Sequence, residues 1–463
     1  MTTRNPEQVA IVEPSAHRVY QRRDDGRADI PFEIVLPNGC KGELEIRLRP
    51  RARLSTGIIR RLVEGGTETG CFERIPTGSY RMEVRFVGAD WDSCADVEPF
   101  HVGDLWVLAG QSNMEGCGKL KEVEAPEIGV SCFYMGDKWD IAQEPLCWLN
   151  ESLDRVHWRA SEAELSQVVV RERRGRTIGA GLGMAFGKTI LRHTEVPVGL
   201  IMCAHGGSSM TQWSKDSVSG DDAGNTLYGA MFRKIHKLGG KIKGVLWYQG
   251  EAEANEADAI LYDGRMKAWV AEFRRDLGDQ SIPFIYAQLS VVYFMDSEAV
   301  WWNRVQHEQL LLEEALAPAA MVPTIDAELS DIIHLNTASL REVGRRMALQ
   351  ALRLSYGQHG YSTGPRMDCL KWNDDRTELH IAVTGTNGCL QLEERIYGFT
   401  IEANGENLLH SAFLSPDRQA IRILFDENVP IDSRLWYGTG LNPTTNVKDA
   451  AGIPMPMFGP VGL

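Results

Sequence analysis

The run Leu105-Trp106-Val107-Leu108-Ala109-Gly110-Gln111-Ser112-Asn113-Met114 constrains the fold of this chain more than any other stretch. Successive apolar residues predict a strand covered on both faces, as in a parallel sheet. Gly110 breaks the run and delivers Ser112 to the strand's C-terminal end, where open α/β sheets place their ligands. Ser112 is thereby a candidate nucleophile, with Gln111 and Asn113 as possible supporting side chains. The plainer reading is a strand-ending turn whose Ser and Asn bond nearby backbone, and this segment alone leaves both open.

From this run onward, strands and helices alternate. Apolar strands are expected at Leu105–Ala109, Val196–Cys203, Val245–Tyr248, Phe284–Leu289 and Met321–Ile325. Helical patterns fall at Ile178–Arg192, Leu227–Leu238, Ala257–Leu277, Ala299–Ala315 and Ala338–Leu354. Such alternation predicts an α/β fold, a parallel sheet with helices on both sides. Before it, Ile30–Leu36, Gly42–Leu48 and Tyr80–Val87 alternate apolar and polar residues between turns, the pattern of a small sandwich. After it, Leu379–Thr384, Ile396–Glu402 and Ala420–Phe425 are strand-like again. The expected division is an N-terminal β-sandwich-like module at 1–101, an α/β domain at 102–358 and a C-terminal β-rich module at 359–463. Residues 116–176, polar and carrying Trp139, Trp148 and Trp158, read as an insertion that is either a lid or a substrate wall.

In a chain of 463 residues, 43% hydrophobic content is enough for a core without metal or disulfide. A net charge of −14 argues against nucleic acid as a partner. The Arg-rich stretches at Arg49–Arg61 and Arg171–Arg176 read as solvated faces. No run approaches the ~20 apolar residues of a membrane span, so no membrane partner is expected. Met1–Arg23 has no apolar signal region, which predicts a cytoplasmic protein as the chain stands, or a secreted one if a leader has been removed. Nine cysteines without C-x-x-C pairing read as reduced thiols rather than a disulfide frame or metal site.

Four further segments each lie just after a predicted strand or on a predicted helix. In His205-Gly206-Gly207-Ser208-Ser209-Met210-Thr211-Gln212-Trp213, two glycines let backbone N–H groups approach a ligand closely, as an oxyanion hole requires; an ordinary glycine turn fits as well. In Trp247-Tyr248-Gln249-Gly250-Glu251, the Gln249 amide can donate to a developing oxyanion and Glu251 can orient a loop or a histidine; a polar strand end is the alternative. In Asp331-Ile332-Ile333-His334, three-residue spacing lets a carboxylate reach Nδ1, leaving Nε2 to take a proton from a hydroxyl; taken alone, such a pair usually means a surface turn. Trp302-Asn303-Arg304-Val305-Gln306 can brace loops or lie in water.

This order of blocks resembles the SGNH-hydrolase superfamily, and more closely its sialate O-acetylesterase and acetylxylan esterase group. Gly110-Gln111-Ser112-Asn113-Met114 resembles the nucleophile block, Gly206-Gly207-Ser208 with Trp213 the glycine block, Trp247 to Glu251 the third block, and Asp331 with His334 the terminal block. Val19-Tyr20-Gln21-Arg22, Leu435-Trp436-Tyr437-Gly438 and Asn442-Pro443 through Gly452-Ile453-Pro454 to Phe458 extend the likeness toward both ends. Gln249 stands where the wider superfamily has Asn, and Glu115-Gly116-Cys117-Gly118 departs from the pattern.

The resemblance implies a three-layer, flavodoxin-like SGNH core and a carbohydrate O-acetylesterase. Ser112 would be its nucleophile, His334 the base and Asp331 the orienting acid. The Ser112, Gly206 and Gly207 N–H groups with the Gln249 amide would form the oxyanion hole, and Trp213 would shorten the acyl pocket. No cofactor or metal is implied. The expected partner is an O-acetylated sugar, sialate first and acetylxylan as the alternative; nothing in the sequence sets an oligomeric state. A degenerate, non-catalytic carbohydrate-binding protein is the reading from another class, motivated by twelve tryptophans.

Overall fold

The structure is a computed structural model that describes residues 8–51, 57–88, 92–216, 225–293, 299–391 and 395–463. Its axis is the strand Asp92–Gly110, which changes character midway. Residues up to Pro99 alternate between exposed and half-buried, whereas Phe100–Gly110 are buried throughout. The first half pairs antiparallel with Gly78–Gly88 in the N-terminal β region; the second half lies at the centre of a parallel sheet. One strand therefore joins two regions and crosses residue 101 without a break.

Along the central sheet the order is Trp139–Ile141, Val130–Phe133, Val198–Met202, Asp92–Gly110, Gly244–Tyr248, Phe284–Ala287 and Ala319–Val322. The sheet is mixed, because Trp139–Ile141 runs antiparallel to its neighbour. That strand and Val130–Phe133 come from the 116–176 segment, so part of this segment extends the sheet. Without those two, the parallel strands stand in the order second, first, third, fourth, fifth. This order has its switch point, where α/β ligand sites form, between the serine-bearing strand and Gly244–Tyr248.

Helices Gly183–Thr194, Leu227–Lys237, Tyr262–Asp276, Ala299–Ala315 and Thr337–Ser355 fill the connections. The expected helix from Ile178 begins later, because Ile178–Ala180 forms a short strand with Gly118–Lys119. The N-terminal region packs Arg27–Leu36 and Gly66–Pro76 against the sheet of Gly42–Pro50 and Gly78–Gly88, around Ile30, Phe32, Ile46 and Phe86. The C-terminal region holds two four-stranded antiparallel sheets around Ile381, Ile401, Ile423 and Leu435. No helix of the described residues is long and apolar enough to cross a membrane.

Candidate active site

The serine-bearing strand ends against Gly244–Tyr248, with Gly110 opposite Tyr248. Gly110 has φ +133, and a Cβ there would lie 2.2 Å from the Tyr248 carbonyl oxygen. Only glycine allows the chain to turn at this point. The Gln111 N–H then donates to Tyr248 O at 2.8 Å, and one helical turn, Ser112–Glu115, begins. Ser112 Oγ lies 2.9 Å from His334 Nε2, and His334 Nδ1 lies 2.8 Å from Asp331 Oδ2. A carboxylate only accepts, so Nδ1 carries the hydrogen and Nε2 is free to accept from the serine hydroxyl.

Asp331 also holds its own loop, its Oδ1 accepting from the N–H groups of Ile333 at 2.9 Å and His334 at 2.7 Å. Burial pushes the Asp331 carboxyl up, but these N–H groups and the imidazole outweigh it and hold the group below the usual carboxylate range. Glu251 does not touch the imidazole nitrogens. It accepts from Asn113 Nδ2 at 2.9 Å, while Asn113 Oδ1 accepts from Leu335 N–H at 3.1 Å. Asn113 thus ties the third block to the residue after His334. Burial pushes the Glu251 carboxyl up to about 7, although the Asn113 amide and the nearby imidazole pull the other way. Gln111 Oε1 accepts from Gly250 and Ala252 N–H, closing the same junction.

Two expected oxyanion donors are otherwise engaged. The Gly206 N–H donates to Glu115 Oε2 at 2.7 Å. Gln249 Nε2 donates to Ser208 O at 3.3 Å and to Glu253 Oε2. Both neighbours are acceptors, so the NH2 end of Gln249 must face them, and its Oε1 has no partner. That leaves the Ser112 N–H, at a helix start with no intrahelical partner, and the Gly207 N–H. Trp213 is fully buried, its indole N–H on Ser208 Oγ at 2.8 Å; it props the glycine block from behind. Asn303 and Gln306 do brace loops, bonding Gly440 and Leu289 respectively.

Sequence reasoning misses Glu115 and Arg159. Glu115 is 7% exposed and accepts from Arg159 Nη2 at 2.9 Å; Arg159 is 52% exposed and also reaches Gly206 O. Three-residue spacing from Ser112 is a signal for Glu115; nothing local marks Arg159, which arrives from the 116–176 segment. His157 of that segment also meets His205 of the glycine block at 3.3 Å, and burial lowers His205 to about 4. Arg159, Arg171, Arg176 and Glu115 line a cavity of about 360 Å³. Arg176 is not the solvated residue expected: it lies over the Trp148 ring and donates to Cys147 O.

Residues 102–353 match the family model of carbohydrate esterases described as sialic acid-specific acetylesterases. The chain belongs to this family and is a carboxylic ester hydrolase acting on carbohydrate. A "Probable carbohydrate esterase" of Arabidopsis thaliana is 29% identical over 265 residues, 54% of this chain and 90% of that protein. The human sialate O-acetylesterase is 29% identical over 219 residues, 41% of this chain and 40% of its own length. The crystal structure of a carbohydrate acetylesterase from Xanthomonas citri superposes with a TM-score of 0.66 over 96% of this chain and 97% of that one, at 20% identity. That last likeness is one of fold.

Proposed function

We propose that the chain is a serine O-acetylesterase with an SGNH-type three-layer core, and that O-acetylated sialic acid is its substrate. The observation that carries the reaction is the chain of contacts Ser112 Oγ, His334 Nε2, His334 Nδ1 and Asp331 Oδ2, at 2.9 and 2.8 Å. Ser112 Oγ attacks the acetyl carbonyl while its proton passes to His334 Nε2, and Asp331 holds the imidazolium. The carbonyl oxygen becomes an oxyanion received by the Ser112 and Gly207 N–H groups. The bond between the acyl carbon and the sugar oxygen breaks as His334 passes its proton to that oxygen, so the sugar leaves with a free hydroxyl and acetyl-Ser112 remains. Water then attacks the acyl carbon, giving its proton to His334, and acetate leaves as Ser112 regains its hydrogen.

The substrate half of the reading rests on the arginine-lined cavity. Its Glu115 bonds Gly206, where a Cβ would stand 3.4 Å from Ser112 Cβ, so the cavity adjoins the serine. A guanidinium suits the carboxylate of a sialic acid and has no counterpart on acetylxylan.

Acetate release from an aryl acetate, O-acetylated sialic acid and acetylated xylo-oligosaccharide tests both halves. Ser112→Ala is expected to lower kcat by roughly three orders of magnitude or more on every active substrate. A variant within tenfold of the unaltered enzyme overturns the mechanism. Preference for the xylo-oligosaccharide overturns the substrate alone.

A further inference from the structure

The C-terminal strands Phe399–Ala403 and Arg434–Tyr437 have one face in the core of their module. Alternation sends Phe399, Ile401, Leu435 and Tyr437 inward, so Thr400, Glu402 and Trp436 point the other way. Register sets Thr400 opposite Trp436 and Glu402 opposite Asn407, which gathers these four side chains in one patch. Gly459 backs the Trp436 ring so closely that a Cβ would lie 2.7 Å from it. Facing the patch is the first turn of helix Ala299–Ala315, with Trp301 and the half-exposed Val300. Between the two lies a cleft of about 590 Å³.

Its chemistry is an aromatic pair with unspent polar groups. Among the described residues, neither indole N–H of Trp301 and Trp436 has a protein partner, nor do the side chains of Thr400, Glu402 and Asn407. Arg304, also on the rim, is paired with Glu308 at 2.5 Å, so the unpaired charge in the cleft is the Glu402 carboxylate. Apolar C–H faces of a pyranose suit the indoles, its hydroxyls suit the free donors and acceptors, and the carboxylate disfavours an anionic sugar.

The cleft is also connected to the catalytic loop. Asn303 bonds Gly440, Val292 N–H donates to Leu441 O, and Tyr293 N–H donates to Ile332 O, two residues before His334. We infer that this cleft is a second carbohydrate subsite, holding a neutral pyranose of the glycan that bears the ester. The sugar class rests on family membership; the link to turnover rests on the Ser112 reading above.

Lactose, xylohexaose and cellohexaose are the probes, titrated into the full-length Ser112→Ala protein by tryptophan fluorescence and calorimetry. Saturable binding of at least one is expected, weakened about tenfold by Trp301→Ala and by Trp436→Phe. Trp436→Phe keeps the ring that packs on Gly459, which guards against a folding defect. Trp436→Phe in the otherwise unaltered enzyme should leave aryl acetate hydrolysis unchanged, because that substrate is too small to span both sites. Absence of binding by all three probes, or equal binding by the tryptophan variants, overturns the subsite. An enzyme in which Ser112 proved dispensable would sink the mechanism instead and leave the titration readable.

Discussion

At the residue scale the site is legible wherever chemistry and spacing are local. Asp331 and His334 are three residues apart, and the turn they form brings carboxylate and imidazole together at 2.8 Å. Which of the four expected oxyanion donors stay free is not legible, since that depends on what else has reached each N–H. Glu115 takes the Gly206 N–H, and Ser208 with Glu253 takes the Gln249 amide. Of the two roles open to Glu251 in the sequence, a loop or a histidine, the contact made is with the loop, through Asn113 rather than the imidazole. Burial places its folded pKa at about 7, above the ordinary 4.5 of an unfolded chain. Its contribution to stability is therefore full below about 4.5 and is lost as pH rises through 7. A difference of this size corresponds to roughly 3 kcal/mol. Glu251→Gln keeps the Asn113 contact and removes the titration. Thermal unfolding from pH 5 to 8 should show the unaltered protein losing stability relative to Glu251→Gln; parallel curves would refute the assignment of that charge.

At the element scale, periodicity locates the strands and helices of the core but not their partners. A helix is expected at Ala299–Ala315 and found there, although its buried face carries Asn303, Gln306, Glu308 and Gln309 beside Trp302, Val305 and Leu312. The 116–176 segment reads as an appendage, yet it supplies two strands to the central sheet. Val130–Phe133 spans only four residues, too short for its burial on both faces to register against the polar sequence around it. The serine-bearing strand is visible in the sequence only in its final, continuously apolar part, because its first half alternates like an ordinary exposed strand. Its end sets the site through Gly110. Gly110→Ala would combine a φ of +133 with a Cβ 2.2 Å from Tyr248 O, a backbone atom that cannot swing aside. A loss of about 2 kcal/mol or more is expected. Aryl acetate hydrolysis should fall with it, since parting the two strands moves Ser112 from His334. Denaturant unfolding and kcat measured together check this, and an alanine variant with both unchanged would contradict it.

At the scale of the whole molecule, the question is whether the α/β region stands without the β region C-terminal to it. The strand and helix pattern divides the chain into three modules, and contacts across 358/359 join the last two. Gln288 is fully buried, its Nε2 donating to Met457 O and its Oε1 accepting from Met457 N–H. Arg346, paired with Asp326, also donates to Gly452 O, and Lys448 meets the same Asp326 at 2.8 Å. Ile453 belongs to the core of the α/β region, and Met457 packs with Val291 and Ile325 in a small cluster of its own. Ending the chain at residue 358 would leave Gln288 Nε2 only its bond to Gln306 O and Oε1 without its Met457 donor, at about 1–3 kcal/mol for a buried group left unpaired. It would also uncover Val291 and Ile325, next to the segment that bonds the His334 loop through Tyr293 N–H and Ile332 O. Against a typical net stability of about 5–15 kcal/mol, those losses are large. The 1–358 chain should therefore be insoluble or at least tenfold less active on an aryl acetate, and the full chain should unfold its α/β and C-terminal regions in one transition. A soluble 1–358 chain with near-full hydrolysis would mean that the tail is a tether for sugar rather than a wall of the enzyme.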